Sequence, residues 1–172
     1  MTVIAAPPPP QERARERFVE RVQREAAAWL AAHSITALRV SLGLVFLGFG
    51  ALKFVPGASP AEALVMRTVD TLTLGVISGQ TAVLTTAVLE TFIGLTFITG
   101  IGLRLGLMVL AGSLVGIMSP LVLFAGDLFP DFTPTIEAQY VFKDIVLAAA
   151  GAVVAAKALG ARYVMSDEEA VA

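Results

Sequence analysis

From Leu105 to Phe124 the chain carries no charged side chain, a run of about 20 residues, the length a helix needs to cross a hydrocarbon core roughly 30 Å thick. Backbone inside lipid has no water to bond, so a run of this kind must be helical and satisfy its own amides. The run has companions. Between Asp70 and Arg104 the only ionisable residue is Glu90, and two further stretches are nearly as apolar. Four spans are expected, at Ile35 to Val55, Gln80 to Thr99, Leu103 to Phe124 and Gln139 to Ala158. The fourth is the weakest on hydropathy, being rich in Ala with Lys143 and Asp144 just inside its start. Composition agrees: 56% of the 172 residues are hydrophobic and 15% charged, against about 25% charged in an average soluble domain. The expected fold is all-α, an integral membrane four-helix bundle.

Ahead of the bundle, residues 1–34 form a separate charged segment. Pro7 to Pro10 and the charges after them leave no apolar stretch beside a cleavage site, so a secretory signal is not expected. From Gln11 to Ala32 a helix is expected, with Phe18, Val22 and Trp29 sharing one face at spacings of four and seven. A helix lying on the membrane surface and a solvated helical tail both fit. Residues 35–160 hold the spans, and residues 161–172 a tail.

Orientation follows from the cations. Four spans put both ends of the bundle on one side, which receives the five arginines from Arg13 to Arg24 with Arg39, Arg104, Lys157 and Arg162, nine in all. The other side receives Lys53, Arg67 and Lys143. The bias predicts a multi-pass protein of the cell (plasma) membrane with cytoplasmic termini. The outward loops are then Pro56 to Gly79 and Ala125 to Ala138. In the first, Ala61, Leu64, Val65, Val69 and Leu72 recur at near-helical spacing and predict a short interfacial helix; the second reads as an ordered loop or a mobile cap. The connection near Gly100 to Gly102 is so short that spans two and three must be antiparallel neighbours.

Small residues mark faces where helices approach closely in lipid. Gly43 and Gly50 on span one, Gly112 and Gly116 on span three, and Gly151 on span four are therefore expected at helix contacts, within the bundle or between protomers. Ser119-Pro120 removes a backbone donor from span three and predicts a kink.

Glu90 is the most informative residue, because it lies near the middle of span two, too deep to reach water easily. A bare carboxylate there must be protonated, paired or open to a cavity. Candidate partners are Arg39 from the cytoplasmic end and Lys53 or Lys143 from the outer end. Two accounts stand side by side, a proton-accepting or ligand-binding carboxylate and an ion pair that fixes helix register. Lys53, Lys143 and Asp144 are expected to converge at the outer end of spans one and four, either as a salt bridge or with surplus positive charge for an anionic or quinone-like oxygen. For Arg39 and Arg104, anchoring to lipid phosphate is the first explanation. The absence of Cys excludes disulfides, thiolate nucleophiles and iron–sulfur ligation, and one His cannot build an imidazole cage. No metal site, phosphate loop, hydrolytic triad or nucleic-acid patch is legible, and no catalytic residue can be assigned.

Three segments together carry a family resemblance. LRVSLGLVFLGFGALKF, with Arg39, Gly43, Gly50 and Lys53, resembles the opening helix of the DoxX-like membrane proteins of the DoxX/DoxD superfamily. LETFIGLTFITGIGLRLGL is similar to that group's second helix through Glu90, Gly94, Gly100 and Arg104, and YVFKDIVLAAAG to its Lys-Asp helix start through Lys143 and Asp144. The resemblance covers about residues 35–160. It implies a compact four-helix membrane protein, in a family linked to thiosulfate:quinone oxidoreduction or to membrane complexes that handle oxidative stress. The leading expectation is an accessory or scaffold subunit of such an assembly, in contact with protein partners or a second copy of itself and holding a quinone or lipid between its spans. A small oligomeric proton-coupled transporter using Glu90 is the first alternative, and a membrane enzyme acting on a lipid-soluble substrate the second.

Overall fold

The computed structural model describes residues 10–161, the side chains of residues 10–14 and 16 excepted. Pro7 to Pro9, Arg162 and the tail expected after residue 161 lie outside the described residues, as does the Arg13 side chain. Among the described residues every regular element is helical and there is no strand. The chain divides into two compact units at Thr36 and Ala37.

Helix α1 is Pro10–Lys53 and contributes residues to both units. In the first unit its side chains are exposed almost throughout, including Phe18, Val22 and Trp29. The His33 ring stacks on Trp29 with centroids 4.9 Å apart, and its Nδ1 lies 2.9 Å from the Trp29 carbonyl, a contact it makes as donor.

The second unit begins with the last part of α1 and continues with α2 (Glu62–Leu72), α3 (Gly79–Thr99), α4 (Leu103–Met118), two short turns α5 (Pro120–Leu123) and α6 (Ala125–Leu128), a 3-10 turn at Pro130–Phe132, and α7 (Ile136–Ala158). α1 stops at Lys53 because Pro56 disfavours helical backbone before it and Gly57 turns the chain at φ +75°. Gly100 ends α3 in the left-handed conformation (φ +77°), donating its N–H to the Thr96 carbonyl, and Gly102 (φ +67°) opens α4 in the same region. Two left-handed residues in three reverse the chain, and α3 and α4 pack side by side.

At the expected kink the helical backbone continues. Ser119 keeps right-handed helical angles. Pro120 has no N–H for the Gly116 carbonyl four residues back, and the Ser119 hydroxyl donates to that carbonyl instead at 2.7 Å. Beyond it the segment leading to α7 packs on α7. Phe124 and Leu128 pack with Ala138, and Thr135 caps α7, its side chain accepting from the Ala138 N–H.

The main core joins Leu42 and Phe46 of α1, Ile93 and Phe97 of α3, Leu110 of α4 and Val154 of α7. Glycine lets the backbones close in. A Cβ on Gly43 would stand 2.9 Å from the Gly94 carbonyl oxygen, one on Gly50 2.9 Å from the Thr91 amide, and one on Gly151 2.9 Å from Leu110 Cδ2. Gly94 on α3 allows a still closer approach to α1, its Cβ position lying 2.7 Å from the Leu47 backbone. Gly112 and Gly116 make no such approach within the chain. A Cβ on Gly112 would meet nothing within 4 Å and one on Gly116 only Leu72 Cδ1 at 4.0 Å, so within the chain these two leave a space open.

Three segments are long and apolar enough to cross a membrane: the apolar part of α1, α3, and α4 with α5. They are apolar well beyond what the core uses. Only 17% of the apolar window spanning α4 and α5 is buried, and Leu44, Val88, Met108 and Val115 are all more than half exposed. α7 is 23 residues long, with Glu137, Lys143 and Asp144 in its first half.

Candidate functional site

The site grows from two helix positions. α1 delivers Lys53 in its last turn, and α3 delivers Glu90 from its middle. Gly50, one turn before Lys53, allows α1 to lie against α3 at Thr91, which brings the two charged side chains together. The Lys53 Nζ donates to Glu90 Oε2 at 2.7 Å, and the side chains are 5% and 8% exposed. A charge pair so desolvated holds strongly, because each group has lost water and has only the other to replace it. Lys53 also lies over the Phe49 ring, 5.8 Å from its centroid.

Beside this pair is a cavity of about 500 Å³, within the size range of small-molecule sites. Its walls come from α1, α2, α3, α4, the start of α5 and α7, and most of them are apolar, with Phe46 and Phe49 on one side and Leu64 and Val65 on another. Lys53, Glu90, Asp144, Tyr140 and Ser113 contribute the polar surface that carries charge or a free hydroxyl. Thr68 and Thr86 also line it, but their hydroxyls donate to carbonyls of their own helices, at Leu64 and Ala82. Asp144 lies within reach of the charges of Glu90, Lys53 and Lys143, yet makes no ion pair and no hydrogen bond among the described residues. Gly112 and Gly116 leave the α4 wall recessed.

α2 covers one side of the cavity. The helix expected in the first outer loop is present, and its Leu64, Val65, Val69 and Leu72 line the cavity. Arg67 ties α2 to the segment between α4 and α7, donating to Asp127 at 2.6 Å with its guanidinium 3.9 Å above the Phe124 ring. Gly57 and Gly75, both at positive φ and with open space around them, flank α2.

Of the candidate residues, the structure unites Glu90, Lys53 and Asp144 and leaves out the other two. Lys143 does not converge with them. It is exposed and does not line the cavity, and its ammonium sits over the ring of Tyr140, three residues earlier, at 4.6 Å. One residue of helix separates Lys143 from Asp144, a rotation of about 100° that points the two in different directions. Arg39 is not a partner of Glu90 either. Its Nη1 donates to the carbonyls of Phe97 and Ile98 at the end of α3, and it packs against Gly100. A cation at the carbonyl end of a helix is matched to its dipole, which replaces phosphate anchoring as the account of this residue. Arg104 is exposed at the start of α4.

Sequence reasoning passed over Tyr140, Arg67 and Asp127. Tyr140 stands four residues before Asp144, a spacing that places both on one helix face, so its signal was present. The Arg67–Asp127 contact joins two loops 60 residues apart and has no local signal. Among the described residues no three His, Asp or Glu side chains gather as metal ligands.

No protein-family model, no curated protein and no solved structure matches this chain.

Proposed function

We propose that this chain is an integral membrane protein that binds an amphiphilic, lipid-soluble molecule between its helices. The observation that carries the reading is the cavity of about 500 Å³, apolar along its walls and charged where Lys53, Glu90 and Asp144 meet it. A molecule with an apolar body and one polar head matches such a surface, and a quinone or a lipid, the ligands expected from the sequence, share that character.

Membrane residence is supported by the exposed apolar faces of the three candidate spans, since soluble monomers rarely carry contiguous apolar patches beyond a few hundred Å². α7 is the fourth span in this reading: its 23 residues extend about 35 Å at ~1.5 Å each. The sequence bias of Lys and Arg then gives a multi-pass plasma-membrane protein with both termini cytoplasmic. Association with a redox or stress-response assembly is supported by the DoxX-like resemblance of the segments around Arg39, Glu90 and Lys143. The Lys53–Glu90 contact favours binding over proton-coupled transport, because a carboxylate that must take up and release protons is here held by an ammonium.

The test is purification in mild detergent followed by extraction and mass spectrometry. Wild-type protein is expected to retain an amphiphile, and the double variant Gly112→Leu with Gly116→Leu, which fills the recessed wall, is expected to lose it. An empty wild-type protein, with redox tolerance unchanged on deletion of its gene, would sink the proposal.

A further inference from the structure

The polar end of the cavity has a charge balance that defines the head of its ligand. Three ionisable carboxylate or ammonium groups line the cavity: the Lys53 ammonium and the carboxylates of Glu90 and Asp144. Lys53 is committed to Glu90 at 2.7 Å. Of the other cations, Lys143 lies over Tyr140 outside the cavity lining and acts on Asp144 through its charge alone, with no ion pair, while Arg67 is paired with Asp127 and Arg39 reaches the far end of α3. The site is therefore one negative charge in excess, with Asp144 as the carboxylate that lacks a partner among the described residues.

We propose that the cavity takes a lipophilic cation, a molecule with an ammonium head on an apolar body, and that Asp144 is its counter-ion. The inference rests on the reading of the cavity as an amphiphile site and narrows it. A cationic head completes a set of two positive and two negative groups in a poorly solvated space, where charges interact more strongly than in water. An anionic head adds a second unbalanced charge, and a neutral head leaves Asp144 as it stands. Lys53 keeps its contact with Glu90 in all three cases and so does not compete for the ligand.

Binding of three probes with one common chain, decyltrimethylammonium, decanol and decyl sulfate, measured below their micellar concentrations on protein in zwitterionic nanodiscs with empty discs as the blank, separates the possibilities. The ammonium is expected to bind at least about ten-fold more tightly than decanol, equivalent to about 1.4 kcal/mol, and decyl sulfate not above the blank. Asp144→Asn is expected to remove that ten-fold preference while decanol binding stays unchanged, and Asp144→Glu to keep it. Decanol or decyl sulfate binding as tightly as the ammonium, or a preference that survives Asp144→Asn, overturns the cation assignment and leaves the amphiphile site standing. If no probe exceeds the blank, the amphiphile site itself is wrong, and the cation assignment falls with it.

Discussion

Glu90 shows how much a single position in an apolar run can say. Its depth is readable from the chain, because a carboxylate nine or ten residues from either end of a span needs a partner or a cavity, and it has both, Lys53 and the space beside it. Which cation pairs with it was not readable: Lys53 closes α1 and Lys143 lies in the first half of α7, and the order of residues does not say which of them faces Glu90. Breaking the pair leaves one buried charge without compensation, at a cost of about 3–5 kcal/mol. Lys53→Met and Glu90→Met are each expected to lower the melting temperature in detergent strongly, and the double variant to recover most of the loss. The glycines divide in the same way. Gly94→Ala drives a methyl group into the Leu47 backbone and is expected to destabilise by about 1–3 kcal/mol. Gly112→Ala meets open space and is expected to be neutral or stabilising by up to about 1 kcal/mol, through helix propensity alone. Thermal melts of the two variants side by side check the distinction.

α2 is the element whose position matters most to the cavity. Its amphipathic spacing was legible, but a helix of that pattern is equally content against lipid headgroups, and only its packing on α3 and α4 turns its apolar face to the cavity. One exposed contact, Arg67 to Asp127, ties its outer face to the second loop. Exposed pairs contribute only about 0–1 kcal/mol to global stability, so Arg67→Ala is expected to leave the melting temperature nearly unchanged. The same variant is expected to speed hydrogen exchange at the amides of Leu64 to Val69, and protection there equal to wild type would show that α2 is held by its buried face alone. The reversal between α3 and α4 was legible to the residue, because two glycines in three leave the chain little else to do.

At the scale of the whole molecule, the absence of Cys makes the proposed membrane topology directly measurable with single introduced thiols. Four spans with cytoplasmic termini predict that Ser78→Cys and Thr133→Cys react with an impermeant maleimide in intact cells, whereas Ala28→Cys and Ala161→Cys react only after permeabilisation. All four positions are exposed. Equal labelling of Thr133→Cys and Ala161→Cys in intact cells would mean that α7 does not cross.

Apolar runs, caps and turn residues act over a few neighbours, and for that reason helicity, the α3–α4 reversal and the depth of Glu90 could be read from the order of residues. Charge partners and cavity walls depend on the rotation of each helix about its axis and on contacts between positions far apart in the chain. Those relations selected Lys53 over Lys143 and Arg39, opened a recess within the chain at Gly112 and Gly116, and left Asp144 facing the cavity among the described residues without an ion-pair partner.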